Sequence, residues 1–431
     1  MRSLSAISVV VAAFAAALHW PSQLAAQQAT ARPPAAEAAL SRGFAMAQRK
    51  QWSLAIKYFR AASEAAPTDS VVLFNLALAH DRAGGRELVT AAWYQAFLAA
   101  SPASPNAAKV KKRIVDLEIT TETQILKLVE TAERVAGQIS GKARDTLYGL
   151  VTRAHAQNGD IGAARRRLAK IASPMRRNWP QAVIASAYAQ KGDFRSARST
   201  IAGVKFKPAR NWGLAEIAVG LAAAKQYSDA VQIADAIGNG KEKDWAYSRI
   251  TVLQLRADDI KGATASSAKI RQATGTYRIT ADLAAAVALI GTKLPWQVEK
   301  AKNYLAKVIT DIDGIKDTET RALTMLQAVR AHAQIGDTTG ARALIEKMPQ
   351  GRFKYLALSA LKSVEGNKSQ AKIYRWTAFA VHAENNPVMG DIRVILEQAK
   401  SKKPGTAGGI TAIAAEERAR MLRRFRKLTL N

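Results

Sequence analysis

Arg177-Asn178-Trp179, Arg210-Asn211-Trp212 and Lys243-Asp244-Trp245 stand at intervals of 33 residues (179 + 33 = 212; 212 + 33 = 245). Thr276-Tyr277 follows one residue short of the same period. A second column, Ala164, Ala197, Ala230 and Ala263, keeps the spacing. Self-similarity at this period marks two-helix units that bury their apolar faces only against their neighbours. The period therefore predicts an all-α fold, an α-solenoid of stacked helical hairpins whose business is to hold something.

Outward from this array, Gly159-Asp160, Gly192-Asp193 and Gly336-Asp337 fall where one helix must end and the next begin. Glycine takes the left-handed position closing a helix, and Asp caps the one that follows. Gly366-Asn367 repeats the device with Asn, whereas Gln226 and Asp258-Asp259 fill the slot less well. The array is expected to run over residues 142–400, drifting after Ile290 around Pro295-Trp296.

Nearer the N-terminus, Gly43, Trp52, Ala55, Phe59, Ala62 and Pro67 are followed by Leu73, Leu76, Ala77, Gly84, Tyr94, Phe97 and Pro102. Small residues where two helices cross, an aromatic filling the gap and a closing proline resemble the tetratricopeptide repeat (TPR) over residues 36–105. The resemblance implies a right-handed superhelix of helix pairs with a concave groove and a protein or peptide as the usual partner. It implies no catalysis. Pro102 and Pro105 break the helix, and residues 106–141 read as a charged helical connector between two stacks.

The ends of the chain carry other signals. Arg2, the uncharged run Ile7 to Leu18 and the small residues before Gln27 fit an export signal over residues 1–26. The run is too short to span a bilayer, where about 20 apolar residues are needed. Residues 27–35, with Arg32-Pro33-Pro34, read as a flexible leader. The destination expected is periplasmic or secreted. The chain has no cysteine, so neither disulfides nor a thiol-linked lipid enter the argument. At the other end, Pro404-Gly405-Thr406-Ala407-Gly408-Gly409 reads as a linker within residues 401–431, followed by a basic amphipathic helix. Its stripe is Ile410, Ala414, Met421, Phe425 and Leu428, ringed by Arg418, Arg420, Arg423, Arg424, Arg426 and Lys427. Such a helix either caps the last repeat or lies on an anionic membrane.

With 64 basic against 34 acidic residues the formal net charge is +30. A surface of that sign attracts polyanions. For an exported chain these are lipid headgroups and acidic polysaccharides rather than nucleic acid.

No nucleophile elbow, zinc-binding His pair or phosphate loop is present, so no catalytic residue, metal or cofactor is assigned. His155 and His332, in matching Arg-Ala-His-Ala-Gln contexts, read as packing histidines because Tyr188 holds the same slot one period after His155. His80 reads likewise, and His382 is isolated. Asn178, Asn211, Asp244 and Thr276 read as N-caps, which puts Trp179, Trp212, Trp245 and Tyr277 at the first helical position. Arg177, Arg210 and Lys243 then face the positive ends of helices, where an anion belongs. The candidate binding ladder is therefore Arg177, Trp179, Arg210, Trp212, Lys243 and Trp245. The alternative is that the aromatics are spacers between layers. Two functions follow: a scaffold whose groove binds a protein or peptide, or direct binding of an anionic polymer or glycan by the ladder itself.

Overall fold

The computed structural model describes residues 32–238, 240–257, 259–270, 312–400 and 402–429, with scattered positions between 286 and 309. The export signal, most of the leader, Thr276-Tyr277 and Pro295-Trp296 lie outside the described residues. Among those described there are nineteen bounded α-helices and no strand.

The chain begins with two hairpins, α1 (Pro34–Gln48) with α2 (Trp52–Ala65) and α3 (Ser70–Ala83) with α4 (Glu87–Ala100). Residues 34 and 35, expected in the leader, are already helical. Pro34 opens α1, because a proline at the first helical position forgoes an N–H that would have no partner anyway. Small residues let these helices cross closely. A Cβ at Gly43 would lie 2.3 Å from the Phe59 ring, and Ala55 and Ala62 are fully buried beside it.

Residues 106–141 form more than a connector. Helix α5 (Ala107–Gly137) packs along α4 and buries a full stripe from Val110 to Ala136. After it, long and short helices alternate: α6 (Gly141–Gln157) with α7 (Ile161–Ala169), α8 (Pro174–Gln190) with α9 (Phe194–Ala202), α10 (Lys207–Ala223) with α11 (Tyr227–Asp235), and α12 (Lys241–Arg256) with α13 (Ile260–Ala268). Beyond residue 311 come α14 (Thr318–Gln334) with α15 (Thr338–Lys347) and α16 (Arg352–Val364) with α17 (Lys368–Glu384). A 3-10 turn at Pro387–Met389, α18 (Ile392–Lys400) and α19 (Pro404–Thr429) complete the chain. The alanine column lies inside each hairpin, with Ala164, Ala197, Ala230 and Ala263 at most 1 % exposed.

The turns work as their residues dictate. Gly159, Gly192, Gly336 and Gly366 have φ of +77 to +84°. Asp160, Asp193, Asp259, Asp337 and Asn367 each accept the backbone N–H three residues on, at 2.8–3.0 Å. One layer departs. Lys225, 33 residues after Gly192, is held at φ +62°, and Gln226 makes no side-chain cap.

The two ends of the array meet. Helix α17 packs against α4, and the carboxylate of Glu384 forms the junction. It pairs with Arg60, accepts from Trp93 Nε1 at 2.9 Å and lies 2.8 Å from His80 Nε2. Arg86 donates to the Glu384 carbonyl at 2.8 Å. Burial, with Arg60 and Arg86 nearby, pushes the His80 imidazole down to about 3, so it packs neutral.

Helix α19 seals this junction against α5 and α6. Residues 404–409 are therefore not a flexible linker but the start of a helix. Gly408 sits where a Cβ would meet Leu147 at 2.4 Å and Val135 at 3.1 Å, so that glycine serves a tight helix crossing. Met421 and Phe425 are buried, with Phe425 5.0 Å from Trp376 and 5.6 Å from Phe379 between ring centroids.

Two outcomes are expected. Changing Lys225→Gly and Gln226→Asp together rebuilds the turn of the other layers and relieves a left-handed lysine, raising unfolding free energy by about 1–2 kcal/mol in urea denaturation; a loss of stability would contradict the turn assignment. Phe425→Ala opens a cavity between α17 and α19 and costs about 3–5 kcal/mol. A surface-lying helix would tolerate it with no change in unfolding midpoint.

Candidate functional site on the inner face of the long helices

Each long helix packs on the next, α6 on α8, α8 on α10 and α10 on α12, while successive short helices make no comparable contact. The long helices therefore form the tighter, inner row of a curved stack, and α7, α9, α11 and α13 form the outer row.

The asparagines before the tryptophans are not N-caps. Pro174 and Pro208 start α8 and α10 earlier, so Asn178, Asn211 and Asp244 already lie within helices and the tryptophans occupy the second turn. The side chains reach instead to the next layer. Asn178 Oδ1 accepts from the backbone N–H groups of Lys205 (2.7 Å) and Phe206 (2.9 Å), and its Nδ2 donates to the carbonyls of Pro174 and Met175. One period earlier, Asp145 accepts from Ala172 (3.0 Å) and Ser173 (2.7 Å). One period later, Asn211 accepts from Gly238 at 3.4 Å. Asp244 is the fourth of the column, 4 % exposed. Through Asp145, Asn178 and Asn211 this column fastens each layer to the loop that starts the next. Sequence reasoning saw its last three members but gave them the wrong task, and passed over Asp145.

The basic column is turned away from helix N-termini. Arg177 Nε donates to the Ile171 carbonyl at 2.6 Å and Lys243 Nζ to the Asp235 carbonyl at 3.1 Å, at the carbonyl ends of α7 and α11. Cations there are favoured by the helix dipole, which reverses the sequence expectation for these two. Arg210 is exposed.

The tryptophans stand on the inner row. Trp179 is 40 % exposed and lies 6.0 Å from Trp212 between ring centroids, with the planes at 52°; Trp212 and Trp245 are half-buried. Aligned on His155 and His332 (177 residues apart), Leu323 takes the place of Thr146, the residue one period before Trp179, and it too is exposed. A cleft of about 390 Å³ opens between α6 and α8, bounded by Leu150, Arg153, Met175, Arg176, Trp179 and Phe206. The ladder thus divides: its aromatics form a surface on the inner row, and two of its three cations hold carbonyls.

Helix α19 occupies the groove's first layers. Arg153 pairs with Glu416 at 3.0 Å, and Arg423 donates to Gln157 and Gln190 at the ends of α6 and α8. Burial raises the Glu216 carboxyl on α10, against an opposing hydrogen bond from Ser186 and the charge of Arg423. The other basic residues of α19 are placed unequally. Arg418 is 1 % exposed; it donates to Gln124 Oε1 at 2.6 Å and to the Gly390 carbonyl, and lies 4.0 Å from Glu87. It cannot reach a membrane surface from there. Arg426 pairs with Glu118 and Glu122, and Arg420 with Glu417, whereas Arg424 stands close enough to Arg352 to feel its charge.

His155 lies 3.2 Å from Glu133, which Arg167 also grips, and His332 lies 2.8 Å from Asp337. Among the described residues no group of three or more His, Cys, Asp or Glu is placed to hold a metal ion, and no helix is long and apolar enough to cross a membrane.

The fastening column predicts a graded response. Asn178→Ala removes the acceptor of the Lys205 and Phe206 N–H groups and costs about 1–3 kcal/mol of unfolding free energy; Asn178→Asp, the residue of the Asp145 layer, costs less. Burial raises the Asp145 carboxyl, but the Ala172 and Ser173 N–H groups, with Arg144 and Arg176, bring it below the ordinary carboxylate range. A depressed carboxylate stabilises the fold above its unfolded pKa of about 3.9 and loses that contribution as pH falls through the folded value. Asp145→Asn should therefore flatten acid-induced loss of stability, and an unchanged pH profile would count against the role assigned.

No family model matches the chain, and no curated protein matches it. Among solved structures it is similar to the crystal structure of the P58(IPK) TPR domain, a match covering 82 % of this chain and 99 % of that one at 12 % identity, with a TM-score of 0.19. At that TM-score the two do not superpose as whole molecules, and the architecture described above rests on this chain's own helices.

Proposed function

We propose that this protein is a non-enzymatic scaffold, exported from the cytoplasm, that binds a protein or peptide segment along the inner row of its long helices. The observation that carries the reading is the tryptophan column. Trp179, Trp212 and Trp245 stand in register on packed helices, and Trp179 keeps 40 % of its surface open. Large aromatics fixed on rigid elements make strong contact points, because little conformational freedom is lost when a partner covers them. Arg176 and Met175 at the edge of the neighbouring cleft give a partner both charge and apolar surface.

The net charge of +30 supports a second reading, binding of an anionic membrane surface or polysaccharide, in which Arg420, Arg424 and Lys427 of α19 take part with Arg210. The two readings separate by salt. Binding to a polyanion falls steeply with ionic strength, and groove binding much less.

A photo-reactive residue in place of Trp212 should crosslink a discrete partner in the native envelope, and one in place of Arg166 on the outer row should not. Trp179→Ala with Trp212→Ala should then weaken that partner by about a hundredfold without moving the unfolding midpoint by more than the loss of the two rings explains. Equal crosslinking from both positions would overturn the groove reading. Export is checked separately: a reporter fused after residue 35 should leave the cytoplasm with residues 1–26 removed, and retention of an intact N-terminus would contradict it.

A further inference from the structure

Helix α5 is 31 residues long, and one side of it is covered. Val110, Ile114, Leu117, Ile125, Leu128 and Ala132 are buried on the side that packs on α4, α6 and α19. Away from that side, Val115, Ile119 and Leu126 stand 54, 55 and 51 % exposed. Single apolar residues at a surface are ordinary, but three large ones along one face of a helix mark a contact.

The exposed face has a period of its own. Lys112, Asp116, Ile119, Thr123, Leu126 and Glu130 follow one another at alternating steps of four and three residues. That is the seven-residue repeat of a seam between two helices. The flanking acids Glu118, Glu122 and Glu133 are taken by Arg426 and Arg167 of the same chain. Along the seam, with Lys127 beside it, two lysines balance two acids, although the chain as a whole carries +30.

The order of the seam is also self-complementary. Lys112 and Glu130 each stand nine positions from Thr121, Asp116 and Leu126 five, and Ile119 and Thr123 two. Reversing the helix about Thr121 therefore exchanges base for acid at the ends. At the centre it exchanges the bulky Ile119 for the smaller Thr123.

We infer that this face of α5 is the interface of a two-fold dimer, in which α5 of one copy lies antiparallel on α5 of a second. Lys112 then meets Glu130 at both ends, since a two-fold axis makes every contact twice. Ile119 packs over Thr123. Lys127 lays its aliphatic stem on Val115 and brings its ammonium to Asp116. A parallel pairing would set Lys112 on Lys112 and Glu130 on Glu130, which is unfavourable. Repulsion between two cationic copies is screened beyond about 8 Å at physiological salt, and the balanced seam keeps the excess charge out of the contact. One pair of helices is a small interface, so the dimer is reversible and dissociates in the micromolar range. The dimer does not depend on the groove reading above.

Sedimentation equilibrium of the mature protein in about 0.15 M salt provides the test. The average mass should rise from monomer toward dimer between about 1 and about 300 µM protein. Ile119→Lys with Leu126→Lys should hold the chain monomeric throughout. Its unfolding midpoint should not move, because both side chains already face water and lysine is a good helix former. The charge variants are decisive. Lys112→Glu and Glu130→Lys should each weaken the dimer about tenfold or more, and the two together should restore it. On one helix these residues lie about 27 Å apart, too far to rescue each other within a copy. An unaltered protein that stays monomeric, a dimer that survives the Ile119 and Leu126 changes, or a double charge variant no tighter than either single one would each overturn the assignment. A monomer that floats with anionic vesicles, and loses this on changing Ile119 and Leu126, would give the face to a lipid surface instead.

Discussion

Among the described residues, no hairpin can cover its own apolar face. That constraint governs the rest of the structure, because each layer is stable only while another lies on it. Within the array the requirement is met by repetition, with Ala164, Ala197, Ala230 and Ala263 closing each hairpin and the Asp145, Asn178 and Asn211 side chains fixing where the next one starts. The two ends have no such neighbour. Here they cover one another, α17 against α4, and α19 fills the space that remains.

The junction between the ends is polar as well as apolar. Glu384 collects Arg60, His80 and Trp93, and Arg418 is buried among Gln124, Gly390 and Glu87. Buried charges add little net stability, since desolvation offsets their attraction, but one left without its partner is strongly unfavourable. Their effect here is positional. Helices of small apolar residues slide along one another at modest cost, whereas an arginine that must meet one amide and one carbonyl permits a single register.

Much of this was legible in the sequence, because a period is information about packing. The tryptophan and alanine columns, the Gly-Asp turns and the small residues of the first two hairpins each state a local rule that the folded chain obeys. What was not legible was long-range. Nothing near residues 404–409 says that Leu147 and Val135 will press on Gly408, so a run of glycines reads as flexible when it is in fact a close crossing. The stripe Ile410, Ala414, Met421, Phe425 and Leu428 was visible, but which surface it covers is decided by residues nearly three hundred positions away. Asn178 shows the same limit at short range. Its side chain is a good cap for its own helix and equally good for the neighbouring loop, and only the position of Pro174 decides between them.

The meeting of α4 and α17 has a consequence for how such a molecule can change over generations. An open stack lengthens or shortens by duplication of a repeat, and each new unit simply extends the row. In this chain an added or lost hairpin would rotate Glu384 away from Arg60, His80 and Trp93 and carry α19 off its seat. Copy number is thus tied to closure, and variation is channelled into single side chains within a fixed count of layers.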